Sequence, residues 1–147
     1  GFRADRFIRP TTVTGRDAVR LDGAWAISPT AHLSVTVPDF PNLFLLNGPN
    51  GPVGNFSLIE VAERQLDYAL QLIDGIVHGD YREVSPSHEA LERFEEERCA
   101  AAEKTVWVTG CDSWYLDARN VPASWTFTHA RFVEEMTAPK LGDFVLR

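Results

Sequence analysis

Leu43-Phe44-Leu45-Leu46-Asn47-Gly48-Pro49-Asn50-Gly51-Pro52-Val53-Gly54-Asn55 is the stretch on which the fold turns. Its unbroken apolar run, bounded by turn residues, reads as a short strand buried on both faces, as in a parallel sheet. From Ser57 to about His78 the apolar residues recur at helical spacing. Leu58, Ala62, Leu66, Ala69, Ile73 and Val77 form the predicted buried stripe, and Gly79 suits the C-cap. Strand, glycine-rich loop and helix is the layout in which α/β folds place ligands, beyond the carboxyl end of a strand. Gly48, Gly51 and Gly54 would let main-chain amides face an anion at the helix start. Yet Pro49 and Pro52 remove amide donors, and the loop has neither a P-loop ending nor a compact GxGxxG. A flat partner such as a flavin ring edge suits it better than a phosphate, with a purely structural turn as the equal alternative.

Upstream, residues 11–37 alternate extended stretches with turn signals. Val19, Leu21, Trp25 and Ile27 fall on one face at a period of two, which predicts a half-buried strand. Pro38-Asp39-Phe40-Pro41-Asn42 is a stiff turn. Downstream, Ser85-Pro86 predicts an N-cap and first helical position, with a helix to about Lys104 that points Leu91 and Phe94 inward. Its Glu/Arg-rich remainder, including Glu89 and Arg93 at i,i+4, reads as a solvated face. Thr105-Val106-Trp107-Val108 reads as extended, and the tail beyond it as irregular and aromatic.

The chain has 147 residues, 44% hydrophobic and 24% charged, which is enough for a hydrophobic core. A net charge of −7 argues against a nucleic-acid partner. No apolar run approaches the roughly 20 residues of a membrane helix, and no signal-peptide pattern opens the chain, so the expected location is cytoplasmic. Cys99 and Cys111 form no CxxC, and the four histidines lack metal-ligand spacing. A Ser/His/Asp hydrolase is excluded for want of a GxSxG elbow. Gly1-Phe2 opens on no clear element, which reads as the middle of a longer protein.

Three segments carry a resemblance. Val37-Pro38-Asp39-Phe40-Pro41-Asn42-Leu43-Phe44, then Leu46-Asn47-Gly48-Pro49-Asn50, then Gly54-Asn55-Phe56-Ser57 with Glu63, Gln65 and Tyr68 form the first. It resembles the vPxFPNlF, GPN, G, S and E.Q..Y stretch of flavin-containing monooxygenases of the Baeyer–Villiger type, the cyclohexanone and steroid monooxygenases. Gly15-Arg16-Asp17 and Pro29-Thr30-Ala31-His32-Leu33-Ser34 are similar to that family's GrdG and PxAYLG segments, with departures at Ala18, His32 and Ser34. Ser113-Trp114-Tyr115 with Asn120-Val121-Pro122 resembles its SWY.GaNiPGK segment, with departures at Asp117, Ala123 and Ser124.

The resemblance implies an α/β fold: an incomplete C-terminal portion of a flavin-binding Rossmann-like domain (1–80), then a C-terminal helix and aromatic tail (81–147). It implies FAD and NADP as cofactors, with Gly48, Pro49, Asn50, Asn55 and Ser57 on the flavin side. Trp114 would sit on a loop folding over the nicotinamide cofactor. The implied activity is NADPH-dependent insertion of one oxygen atom from O2 into a ketone, or oxidation of a heteroatom. No catalytic residue is assigned; the arginine expected of the family lies upstream of Gly1. The chain alone is then expected to be inactive, and to need the remainder of the parent enzyme or to self-associate through an exposed sheet edge. The alternative is a non-catalytic α/β interaction or oligomerisation module derived from that family.

Overall fold

The computed structural model describes residues 7–8, 10–54, 56–108 and 115–147. A 3-10 turn at Arg16–Ala18 leads into a one-turn helix, α1 (Leu21–Ala24). The strand expected over Val19 to Ile27 is therefore absent. Leu21 and Trp25 are buried, but they share a face because they are four residues apart on a helical turn; Ile27 is 73% exposed. Asp22-Gly23 supplies the local break, the Asp22 carboxylate accepting from the Gly23 amide at 3.1 Å.

Two departures from the family pattern fall on left-handed backbone. Ala18 (φ 61°) and Ser34 (φ 66°) stand where the resembling segments carry glycine. Leu33 and Ser34 are the central pair of a turn closed by the Val35 amide on the His32 carbonyl at 3.0 Å. Both have positive φ, as a type I′ turn requires. The chain keeps a glycine conformation without glycine, at a cost of about 1–2 kcal/mol per site.

Leu43–Leu46 is not a strand of a parallel sheet. Phe44 makes one isolated antiparallel bridge to Thr36, and the Leu45 amide donates to the Val35 carbonyl at 2.8 Å. Leu45 is buried while Leu46 is exposed, so the run is a braced loop. Among the described residues the one sheet pairs β1 (Val84–Pro86) with β2 (Phe144–Leu146), antiparallel. The exposed edge of an apolar parallel strand, on which self-association was expected, has no such strand to rest on.

The long helix α2 (Leu58–His78) forms as predicted, capped by Ser57 and closed by Gly79 at φ 83°. Its core face is rotated from the expected stripe: Val61, Gln65, Tyr68, Ala69 and Leu72 are buried, whereas Leu58, Leu66 and Val77 are exposed. Of the expected stripe only Ala69 is on this face, which Gln65 and Tyr68 share although neither belongs to an apolar stripe. The second long helix, α3 (His88–Ala102), is capped by Ser87, whose hydroxyl accepts from the Ala90 amide at 3.1 Å. Ser85-Pro86, expected to open this helix, belongs to β1 instead. Leu91 is half-buried and Phe94 buried, but Arg93 pairs with Asp143 rather than Glu89. Val106–Val108 is a 3-10 turn, not an extended segment.

The aromatic tail is not irregular throughout. It contains α4 (His129–Glu135) and β2, and it completes the main core. That core joins Leu33, Val35, Val61, Tyr68, Leu72, Phe94, Trp125, Phe132 and Phe144, and so runs across residues 80 and 81. Trp125 lies edge-on to Phe132 at 5.5 Å between ring centroids. A smaller core joins Leu21, Trp25, Val37, Phe40 and Leu45.

Tyr68 is 1% exposed and its hydroxyl has no protein partner. Burial holds its ionisation well above the usual phenol range. Tyr68→Phe should therefore stabilise the chain, by about 1 kcal/mol. Urea unfolding checks this; a loss of stability would mean that the hydroxyl is hydrogen-bonded through a buried water.

Candidate functional site

The Asn47–Ser57 loop links the braced run to α2, and each end is tied down. The Asn47 amide donates to Gln65 Oε1 at 2.6 Å, and Asn47 Nδ2 to the Leu58 carbonyl at 3.2 Å. Ser34 Oγ donates to the Gly48 carbonyl at 2.8 Å, and the Ala31 amide to Asn50 Oδ1 at 3.3 Å. On the far side, the Trp125 amide donates to the Gly51 carbonyl at 3.0 Å. The loop is thus held by the 31–34 turn, by α2 and by the tail.

Gly48, Pro49 and Asn50 are brought together and buried. Gly48 is glycine for a steric reason: a Cβ there would lie 2.3 Å from the Ser34 carbonyl oxygen. The glycine gap is filled by the chain's own backbone. Asn50 has its oxygen on Ala31, while its Nδ2 is buried without a partner. These three residues shape the turn. Gly48→Ala is expected to push the loop off the 31–34 turn and to cost about 2–3 kcal/mol, read as a lowered denaturant midpoint with an unchanged slope. A variant as stable as the parent would show that the contact yields freely.

Ser57 is exposed, and its hydroxyl accepts from the Glu60 amide at 3.4 Å as the cap of α2. Around it, Val53 and Leu58 are about half-exposed, and Gly54 is exposed with φ 89°. A Cβ at Gly54 would sit 4.0 Å from the Tyr115 hydroxyl. The surface open to a flat cofactor is therefore Val53, Gly54, Ser57 and Leu58, beside the first-turn amides of a 21-residue helix. This fits one wall of a flavin site: apolar contact, free donors, and Glu60 already held by Arg64 at 3.0 Å. Asn55 and Trp114, the other expected cofactor residues, lie outside the described residues.

The segment after Tyr115 is fastened to α3. Arg98, which the sequence places on a solvated face, is fully buried. It makes two hydrogen bonds to Glu95, at 2.8 and 2.9 Å, and one to the Pro122 carbonyl. Arg119 bridges Glu95 (3.1 Å) and Asp117 (2.7 Å). Asp117 stands where the resembling segment has glycine, and it accepts the amides of Arg119 and Val121 at 2.8 and 3.1 Å. Burial works to raise its ionisation, but the Arg119 bond and these amides outweigh it and hold the carboxyl below the usual range. Sequence reasoning missed Ser34, Gln65, Tyr115 and Arg98 as organisers. Gln65, Tyr115 and Ser34 lie within the resembling segments, Ser34 as a departure from them, whereas Arg98 carried no such signal.

No protein-family model matches the chain. A monooxygenase of Mycobacterium tuberculosis, described only as uncharacterized, is 44% identical over 131 residues, 89% of this chain and 26% of the relative. An FAD-binding monooxygenase of Aspergillus terreus is 35% identical over 115 residues, 78% of this chain and 20% of the relative. Among solved structures, the NADP+-bound cyclohexanone monooxygenase of Rhodococcus sp. Phi1 matches 95% of this chain and 27% of its own, with a TM-score of 0.80 and 26% identity. Oxidized steroid monooxygenase bound to NADP shares the fold, with a TM-score of 0.80 over 92% of this chain and 26% of its own. The resemblance to flavin-containing monooxygenases of the Baeyer–Villiger type therefore holds. This chain spans about a quarter of the length of the relatives it matches.

Proposed function

We propose that the chain is the C-terminal part of an FAD- and NADPH-dependent monooxygenase, closing a Rossmann-like flavin domain. That enzyme would insert one oxygen atom from O2 into a ketone or oxidise a heteroatom. The observation that supports this best is the likeness to an NADP+-bound cyclohexanone monooxygenase over 95% of the chain. Bound FAD would supply the redox and oxygen chemistry; the protein supplies orientation and water exclusion. In this reading Val53 and Leu58 present an apolar wall, and the α2 amides beside Ser57 offer donors to the ring edge. Gly48, Pro49 and Asn50 hold that wall in position from behind. Asn55 and Trp114 complete the set of cofactor-side residues on the resemblance alone.

The chain alone is expected to oxidise no NADPH in the presence of FAD and a ketone, because one wall does not enclose a cofactor. Steady NADPH oxidation with lactone formation by the 147-residue chain would overturn that part. Placed within a polypeptide of the relatives' length, it is expected to purify with flavin visible absorbance. A colourless full-length protein that takes up no added FAD would overturn the function itself and leave the interaction module standing.

A further inference from the structure

Residues 115–123 form a closed hairpin fastened to α3 by charge. Leu116 bridges Pro122, the Ala123 amide donates to the Tyr115 carbonyl at 2.7 Å, and the Asp117 amide to the Val121 carbonyl at 2.8 Å. At the tip, the Asp117 side chain is 4% exposed and accepts the Arg119 and Val121 amides and the Arg119 guanidinium. Arg119 also reaches Glu95 on α3, at 3.1 Å. Glu95 in turn holds Arg98, and Arg98 returns to the hairpin at the Pro122 carbonyl. The circuit of alternating charge thus leaves the hairpin at Asp117, crosses α3 and closes on the hairpin again.

Two departures from the resembling segment make this circuit. The pattern SWY.GaNiPGK sets three residues between its tyrosine and its asparagine, whereas Leu116-Asp117-Ala118-Arg119 separate Tyr115 from Asn120. The longer turn brings Arg119, and the glycine position holds Asp117. Glycine's freedom is not needed there: Asp117 lies outside the left-handed region, and the left-handed position of the turn is Asn120, with φ 64°. An acid and a base therefore enter together, and each is the partner that the other's burial requires. We propose that Asp117 and Arg119 are positioning residues that make the hairpin a pre-formed element, set in place by the chain itself before any cofactor binds. Tyr115, whose ring meets Trp107 at 4.7 Å between centroids, is held with it. A loop with glycine at 117 and 123 would be ordered by its ligand, and that ordering would weaken binding. Here α3 supplies the order instead. That the ligand is a nicotinamide cofactor rests on the proposed function; the pre-formed hairpin does not.

Amide hydrogen exchange at Val121 and Ala123 tests it. In the 147-residue chain, with no cofactor present, both amides should exchange at least about 100-fold more slowly than in an unstructured peptide. Arg119→Gln keeps the length of the turn and removes its cation, and should speed both amides at least about tenfold. Asp117→Gly with Arg119 deleted, which restores the spacing of the resembling segment, should speed them further. Unprotected amides in the parent chain would overturn the proposal, and so would an Arg119→Gln variant as protected as the parent. The second measurement adds NADP+ to the chain placed within a polypeptide of the relatives' length. The parent hairpin should exchange at the same slow rate with and without NADP+, while the glycine variant should be slowed by it at least about tenfold. Equal slowing in both would mean that the ligand orders the hairpin, which overturns the proposal. A parent hairpin protected in the chain alone, in a joined protein that takes up neither FAD nor NADP+, keeps the clasp and rejects the proposed function.

Discussion

Arg98→Ala is expected to cost roughly 3–5 kcal/mol of folding free energy, the range for removing one partner of a buried ion pair. The guanidinium is fully buried and fills three acceptor positions, two on Glu95 and one on the Pro122 carbonyl. Truncation leaves a cavity, a largely buried Glu95 and an unpaired carbonyl. Because Pro122 and Arg119 are the links from α3 to the 115–122 turn, that turn should loosen first. Hydrogen exchange should accelerate at Asp117 and Ala123, whose amides now donate to the Val121 and Tyr115 carbonyls at 2.8 and 2.7 Å. Urea unfolding gives the total. Arg98→Met, which fills the space without a charge, should recover part of the loss. A cost below about 1 kcal/mol would mean that the pair behaves as a surface one.

Acidification from pH 7 to about 4 should remove about 3 kcal/mol of stability through His32 alone. Burial lowers the ionisation of this imidazole from 6.5 to about 4, with Asp143 and Glu135 working to raise it and Arg93 and Lys140 to lower it. Its ring is 4% exposed, edge-on to Phe94 and Phe144, with Nδ1 unpartnered and Nε2 3.9 Å from Asp143. A folded-state value below the unfolded one means that the fold favours the neutral ring. Its contribution is complete above pH 6.5, where both states are neutral. It falls as the unfolded chain takes up a proton that the folded chain refuses, and it levels off below about 4. Denaturation at a series of pH values should show that slope, and His32→Phe should flatten it between 6.5 and 4. An unchanged slope in the variant would assign the acid sensitivity to other groups.

Local signals were legible where the chemistry is local. Ser57 and Gly79 bound α2 because a cap needs only a hydroxyl or a missing Cβ at one position. The Gly48-Pro49-Asn50 turn was legible for the same reason, and its flanking motif was specific enough to name the relatives. The α1 turn was misread because residues four apart also satisfy a period of two. The Leu43–Leu46 run was misread because an apolar run does not say whether its amides find a neighbouring strand. Ser85-Pro86 carries the local signature of a helix start but lies in β1, because the antiparallel partner of that strand is about 60 residues downstream, beyond the reach of any local rule.

By itself, the sequence determined the loop after Leu46, the helix that follows, and the class of enzyme they resemble. Each depends on residue types at short, fixed spacings. Only the tertiary structure decided which face of α2 meets the core, since Gln65 and Tyr68 are buried by their neighbours and not by their hydropathy. It alone showed that Gly48, Pro49 and Asn50 turn inward on Ser34 and Ala31. What stays exposed around the loop is therefore the rim at Val53, Gly54, Ser57 and Leu58. Burial is a property of the atoms around a residue, and those atoms come from segments far away in the chain.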